Sequence, residues 1–214
     1  MPQRPQAIAE TGAGATLRRL LAADGTAAHP FVASLSAPRA AARDLGDAVH
    51  ALCAIYGHYP DLLTVAAELS ADAAERDWLA EAAAGFAVER VALAQLVAAS
   101  GPLPSTPGQA ETEAALTAER HALEMLARSE RAGVALGAAA ALVGDWRAIR
   151  GVLARAADRF GVTLHDGAVL DVNGLLDRTT ALERAVGFGA QQLLAQHRGL
   201  WGLLEARASA RDRQ

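Results

Sequence analysis

The stretch "TPGQAETEAALTAERHALEMLARSERAGVALGAAAALVGD", residues 106–145, decides the fold class. Leu116, Leu123, Leu126 and Val134 recur at helical spacing and share one stripe. Thr106 at the cap, Pro107 at the first helical position and Gln109 three residues after Thr106 read as a capping box. Glu111 and Glu113 then lie near the positive end of the helix dipole. Carried through to Val143, the helix would have about 37 residues and a length of ~55 Å. The Gly144-Asp145 pair would either kink it or restart it, with Asp145 as a new cap.

Outward from this stretch the same periodicity continues. "DWRAIRGVLARAADRF" is a further helical pattern, closed by Gly161. A long helix over about 71–99, capped by Ser70, carries the stripe Leu79, Ala83, Phe86, Leu93 and Val97, and "SGPLPS" stops it. Another runs over about 37–56 and ends at Gly57, with Ala41, Leu45, Val49, Leu52 and Tyr56 on one face. The last covers about 173–207 through Leu175, Leu182, Val186, Leu193, Leu200 and Leu204. Short helices are expected at 16–23 and, after Pro60 in its first turn, at "DLLTVAAEL". "AAHPF" reads as an extended linker, because Pro30 disfavours helix at His29. Residues 162–172, "VTLHDGAVLDV", are the one strand-like stretch, a small hairpin or an ordered loop. These elements predict an all-α chain. Three to four long helices form an antiparallel bundle with extra short helices. Residues 1–13 are a flexible N-terminus and 14–210 one domain. Gly133 and Gly137 mark a place where a neighbouring backbone comes close.

Composition supports helices over sheets. Apolar residues make up 52% of the 214, Ala is heavily used and aromatics are only 4%. All 20 basic residues are arginines, which removes Schiff-base chemistry and a phosphate-loop lysine. With a net charge of −4 and mixed signs there is no basic stripe for nucleic acid. The longest uncharged apolar run, Ala132 to Gly144, is 13 residues. A bilayer span needs about 20. A soluble, cytoplasmic chain without a membrane partner is expected. The lone Cys53 allows neither an internal disulfide nor a thiolate cage.

A ferritin-like metal centre would need Glu-x-x-His motifs on two helices. The sequence offers only the reverse, His121-x-x-Glu124, together with Asp47-x-x-His50 and, on the last helix, Gln192, Gln196 and His197. No metal and no cofactor are therefore expected. The helical wheel picks out polar residues within the apolar stripes: Glu119 and Glu130 on the third long helix, Arg90 on the second, with Glu89 at its edge, and Gln196 on the last. A buried carboxylate is costly unless paired, and the arginine fork suits it. Arg90, Glu119, Glu130 and Gln196 are thus the candidate site, with Glu89, Gln192 and His197 beside it. Three readings stay open. The group is a structural network fixing helix register, or solvated, or a polar ligand site. The catalytic role is unknown. His29, His58 and His165 sit in loops, and His50 and His121 on secondary faces. No nucleophile elbow and no dinucleotide fingerprint occur.

The stretches "PSTPGQAETEAAL", "RHALEMLARSERAGVALGAA", "DWRAIR" and "FGAQQLLAQHRGLW" together resemble an uncharacterised all-helical family of alphaproteobacteria, of the sphingomonad kind. The resemblance covers most of the chain and implies no activity and no site residues. In outline alone the arrangement is similar to the ferritin-like bundle. The function expected first is a non-enzymatic bundle that binds itself or a protein partner. The alternative is a ferritin-like bundle enzyme or a ligand-binding protein with a polar site between the second, third and fourth long helices. A carrier for an apolar ligand, lined by Ala, Leu and Phe86, comes third.

Overall fold

The computed structural model describes residues 12–103, 108–167, 172, 176 and 182–213. It is 81% helical, with no strand among the described residues. The elements are α1 (Ala13–Asp24), a 3-10 turn (Thr26–Ala28), α2 (Pro30–Ser36), α3 (Ala42–Tyr56), α4 (Leu62–Leu69), α5 (Ala73–Ser100), α6 (Gln109–Ala127), α7 (Val134–Phe160) and α8 (Glu183–Asp212).

Local chemistry sets most of these boundaries. Asp61 caps α4 by accepting from the Thr64 amide at 2.8 Å, and Asp72 caps α5 by accepting from the Glu75 amide at 2.8 Å. Pro60, expected in the first turn of α4, precedes it, and Ser70, the expected cap of α5, only donates to the Asp72 carbonyl at 3.3 Å. "AAHPF" is not a linker. Pro30 is the first residue of α2, and the extended His29 is its cap, Nδ1 accepting from the Phe31 amide at 3.3 Å. Residues 1–11, the Thr106-Pro107 start and most of 168–181, Leu175 included, lie outside the described residues. The helix after them begins at Gln109, preceded by Gly108.

The long third helix is two helices. α6 ends at Ala127, and α7 begins at Val134 after Gly133, whose φ of 87° places it in the left-handed region. Gly144 and Asp145, the expected kink or restart, lie inside an unbroken α7. The break therefore falls about fifteen residues earlier than the local Gly-Asp signal suggested.

α7 and α8 form the central pair and pack most extensively. Val134, Leu136, Leu142, Ile149, Val152 and Leu153 of α7 are buried, as are Val186, Leu193, Leu200 and Leu204 of α8. The pair crosses at glycines. A Cβ on Gly137 would overlap the Val186 carbonyl, and one on Gly189 would overlap the Val134 carbonyl. The close backbone approach expected at Gly137 is thus made by α8. α3, α5 and α6 pack around this pair, α4 fills the side between α5 and α6, and α1 lies on α8. Among the described residues α5 is the one helix long and apolar enough to cross a bilayer, with a mean hydropathy of 1.4 over its best window. It packs as a bundle member on α3, α4 and α7.

Candidate functional site

At the centre of the bundle runs a chain of buried polar groups. Asp145 on α7 is 3% exposed and His197 on α8 is fully buried. His197 Nδ1 lies 2.6 Å from Asp145 Oδ2. The Thr26 amide and hydroxyl donate to Asp145 Oδ1 and Oδ2 at 2.8 and 2.5 Å. The Trp201 indole N–H donates to the Thr26 oxygen at 2.9 Å. At the other end the Tyr56 hydroxyl meets His197 Nε2. These contacts fix the protons. Asp145 is an acceptor of three bonds, so Nδ1 carries the imidazole hydrogen and Nε2 accepts from Tyr56. Burial, then the nearby Glu119 and Asp145 charges, push the Tyr56 hydroxyl well above its ordinary value, so it remains a donor. Every member has its partner, and the chain ties the 3-10 turn, α3, α7 and α8 into one register.

An aromatic stack leads from this spine to the surface. Tyr56 meets Trp146 edge-on at 5.2 Å between centroids, and Trp146 meets Phe86 at 4.7 Å. Phe86 and Trp146 then line a cleft of about 630 Å³ between α5 and α7. Glu89 and Arg150 pair across the cleft wall, and Arg150 also donates to the His165 carbonyl at 2.5 Å. Glu89 is only 4% exposed, yet among the described residues its Oε2 has no hydrogen-bond partner, and neither does the buried Trp146 Nε1. Arg147 and Asp166 stand exposed at the rim. A smaller hollow of about 280 Å³ at the far end of the spine is closed electrostatically, because Arg198 pairs with Asp24 beside it at 2.6 Å.

A family model described as a family of unknown function, DUF6975, matches residues 21–212. The chain belongs to this family. Comparison with curated proteins and with solved structures finds no significant match to either. The DUF6975 match spans the spine and the cleft alike, and its description carries no activity.

Within this DUF6975 chain the expected site residues are dispersed. Glu119 is buried as the wheel placed it, but its Oε1 has no partner among the described residues, and burial raises its carboxyl to about 8. It lies close enough for its charge to act on Tyr56. Arg90 is not its partner. Arg90 pairs with the α4 cap Asp61 and lies over the Tyr59 ring, 5.5 Å from its centroid. Glu130 is exposed in the α6–α7 connection, so its place in a buried constellation is corrected. Gln192 and Gln196 are half-buried on α8. Among the described residues no hydrogen bond or ion pair joins any two of Arg90, Glu119, Glu130 and Gln196. Glu89, expected at an edge, is a cleft residue, and His197, expected beside the stripe, is at the heart of the spine.

His50, His58 and His121 have ordinary partners. His50 Nε2 lies 2.8 Å from the Gly101 carbonyl, and His58 accepts from Arg120 at 2.9 Å. His121 is exposed beside Glu124, at 3.7 Å. Asp47, half of a reversed motif with His50, instead binds Arg207 at 2.9 Å and Arg211 at 2.6 Å. Burial pushes the half-buried Cys53 thiol up, away from the reactive thiolate. Among the described residues no three His, Cys, Asp or Glu side chains are placed to share a metal ion. Tyr56, Thr26, Asp145 and Trp201 were not singled out from sequence as site residues. The signal available was Asp145 itself, the acid that closes the longest apolar run, Ala132 to Gly144.

Proposed function

We propose that this protein binds a small molecule in the cleft between α5 and α7. The observation that carries the reading is a cleft of about 630 Å³, floored by Phe86 and Trp146, with two buried polar atoms in its lining residues left without partners among the described residues. Ligand sites combine this size and apolar lining with a few placed polar groups. Buried polar atoms are otherwise almost always satisfied. A fragment library screened by ligand-observed NMR tests it. Gly85 lines the cleft within helix α5, so Gly85→Leu fills the space while raising helix propensity. Binders of the native protein are expected to lose the variant while its melting temperature holds. Fragments that bind both proteins equally, or no binders at all, would remove the reading. The resemblance of "RHALEMLARSERAGVALGAA" and "FGAQQLLAQHRGLW" to the alphaproteobacterial family supports such a source.

A second reading, self-association, is favoured by the outward face of α5. Ala84, Ala87, Val88, Val91, Ala94 and Ala98 are exposed there, with Val88 at 47% and Val91 at 57%. The only charges from 82 to 100, Glu89 and Arg90, are engaged with Arg150 and Asp61. A charge-free face meets its own copy across a two-fold axis without repulsion. The expected outcome is a concentration-dependent mass in sedimentation equilibrium, abolished by Val88→Glu with Val91→Glu. A monomer at millimolar concentration would exclude it.

A further inference from the structure

We infer that residues 161–167 form a strap that closes the cleft, and that the Glu89–Arg150 pair is the latch that holds it shut. The inference rests on the ligand-binding reading above and concerns how that site is opened. Asp166 and Gly167 line the cleft beside α5 and α7, so the strap is its third side. Its hold on the rest of the molecule is slight. Gly161 ends α7 with a φ of 71°, and the Val162 amide still donates to the Ala157 carbonyl at 3.0 Å. Beyond it, no backbone–backbone hydrogen bond among the described residues holds 163–167. Val162 and Leu164 are half-buried against the core. Among the described residues the one hydrogen bond made to 163–167 comes from Arg150 Nη2 to the His165 carbonyl, at 2.5 Å.

That guanidinium has a second partner. Its Nη1 meets Oε1 of Glu89 on α5. The planar fork suits two acceptors at once, so Glu89 sets where Arg150 points and Arg150 holds the strap. α5, α7 and the strap are thus joined at a single group. Gly167 shows how closely the strap lies on the pair. A Cβ there would stand 2.5 Å from Arg150 Nη1 and 2.6 Å from Glu89 Oε1. The glycine backbone covers a carboxylate that is 5% exposed and a guanidinium that is 24% exposed. Lifting the strap admits water to the pair and weakens its attraction, so closing and pairing reinforce each other. Segments that open and shut in this way set how fast a ligand enters and leaves.

A nitroxide on His165→Cys, in a Cys53→Ala background, reports the strap through its electron-spin line shape. The substitution retains the latched carbonyl. The binding probe is the fragment whose binding Gly85→Leu abolishes, with both rates read from NMR line shapes. Two variants open the latch by different routes. Glu89→Gln with Arg150→Met removes the pair without stranding either charge. Gly167→Ala keeps both charges and crowds them, and it decides alone if the double variant does not fold. The label should be immobilised in the native strap and mobile in the variants. The fragment should associate and dissociate about tenfold faster in both, the low end of what one charge-assisted hydrogen bond is worth. Faster dissociation alone would make the strap a fixed wall and overturn the inference, with the binding reading intact. A label equally mobile, or equally immobile, in native and variant proteins overturns it too, as does a mobilised label with both rates unchanged. If no fragment binds the native protein in the cleft, the binding reading and this inference fall together.

Discussion

Glu119 sits where a carboxylate is hardest to keep ionised: buried, with Oε1 unpartnered among the described residues. Its folded value of about 8 lies above the ordinary 4.5, so the folded state holds a proton that the unfolded chain releases. The stability this group contributes is complete below pH 4.5 and is lost as pH rises towards 8, by up to about 1.4 kcal/mol per pH unit. Glu119→Gln keeps the shape and removes the proton. Denaturant melts at pH 5, 7 and 9 should show the variant close to native at pH 5 and progressively more stable than native above it. Parallel native and variant curves would mean the carboxyl is solvated. In the spine, Tyr56→Phe leaves His197 Nε2 without its donor and should cost about 1–3 kcal/mol. His197→Ala also strands buried Asp145, and about 3–5 kcal/mol is expected. Chemical denaturation of the two variants checks the order. Which polar residues turn inward was legible only where the helix phase was intact. Glu119 lies one turn from Leu116 inside α6, so its wheel position holds. Glu130 lies past Ala127, after the chain has left the helix, and the same wheel no longer describes it.

The crossing of α7 and α8 depends on the absence of two side chains. A methyl at Gly137 or Gly189 would meet backbone carbonyl oxygen, which cannot rotate away. Gly137→Ala and Gly189→Ala should each destabilise by about 1–3 kcal/mol or more. At Gly199, on the same α8, a Cβ would meet nothing within 4 Å. There the alanine should stabilise by about 0.5–1 kcal/mol through helix propensity. Thermal melts of the three variants test the contrast, and a Gly137→Ala protein as stable as native would mean the helices are not in contact. The existence of long helices was legible from apolar spacing, because 3.6-residue periodicity survives sequence noise. The break in the third was not. "RSER" is as compatible with helix as with a turn, and the residue that ends it, Gly133, acts through a left-handed backbone that composition does not announce. Asp145 was misleading in the opposite sense. Gly-Asp resembles a stop and a cap, but the carboxylate is instead held by Thr26 and His197, partners 119 and 52 residues distant.

Taken whole, the bundle is held from the inside by a polar chain and from one end by the Asp44, Asp47, Arg207 and Arg211 ion network between α3 and α8. Native-state hydrogen exchange should find the slowest amides in α7 and α8, opening only with global unfolding, and faster exchange along the outward face of α5. Uniform rates along the two central helices and α5 would contradict this layout. The long-range pairings that build both spine and cleft join turns, helices and connections far apart in the chain, which is why periodicity alone could not assemble them. The fixed imidazole has a practical consequence. A ring proton held between His197 and Asp145, shut off from solvent, exchanges too slowly to be averaged with water. In a proton spectrum it should stand alone, far downfield, as a single resonance. That one line would report the folded population directly, giving the chain its own internal gauge of integrity.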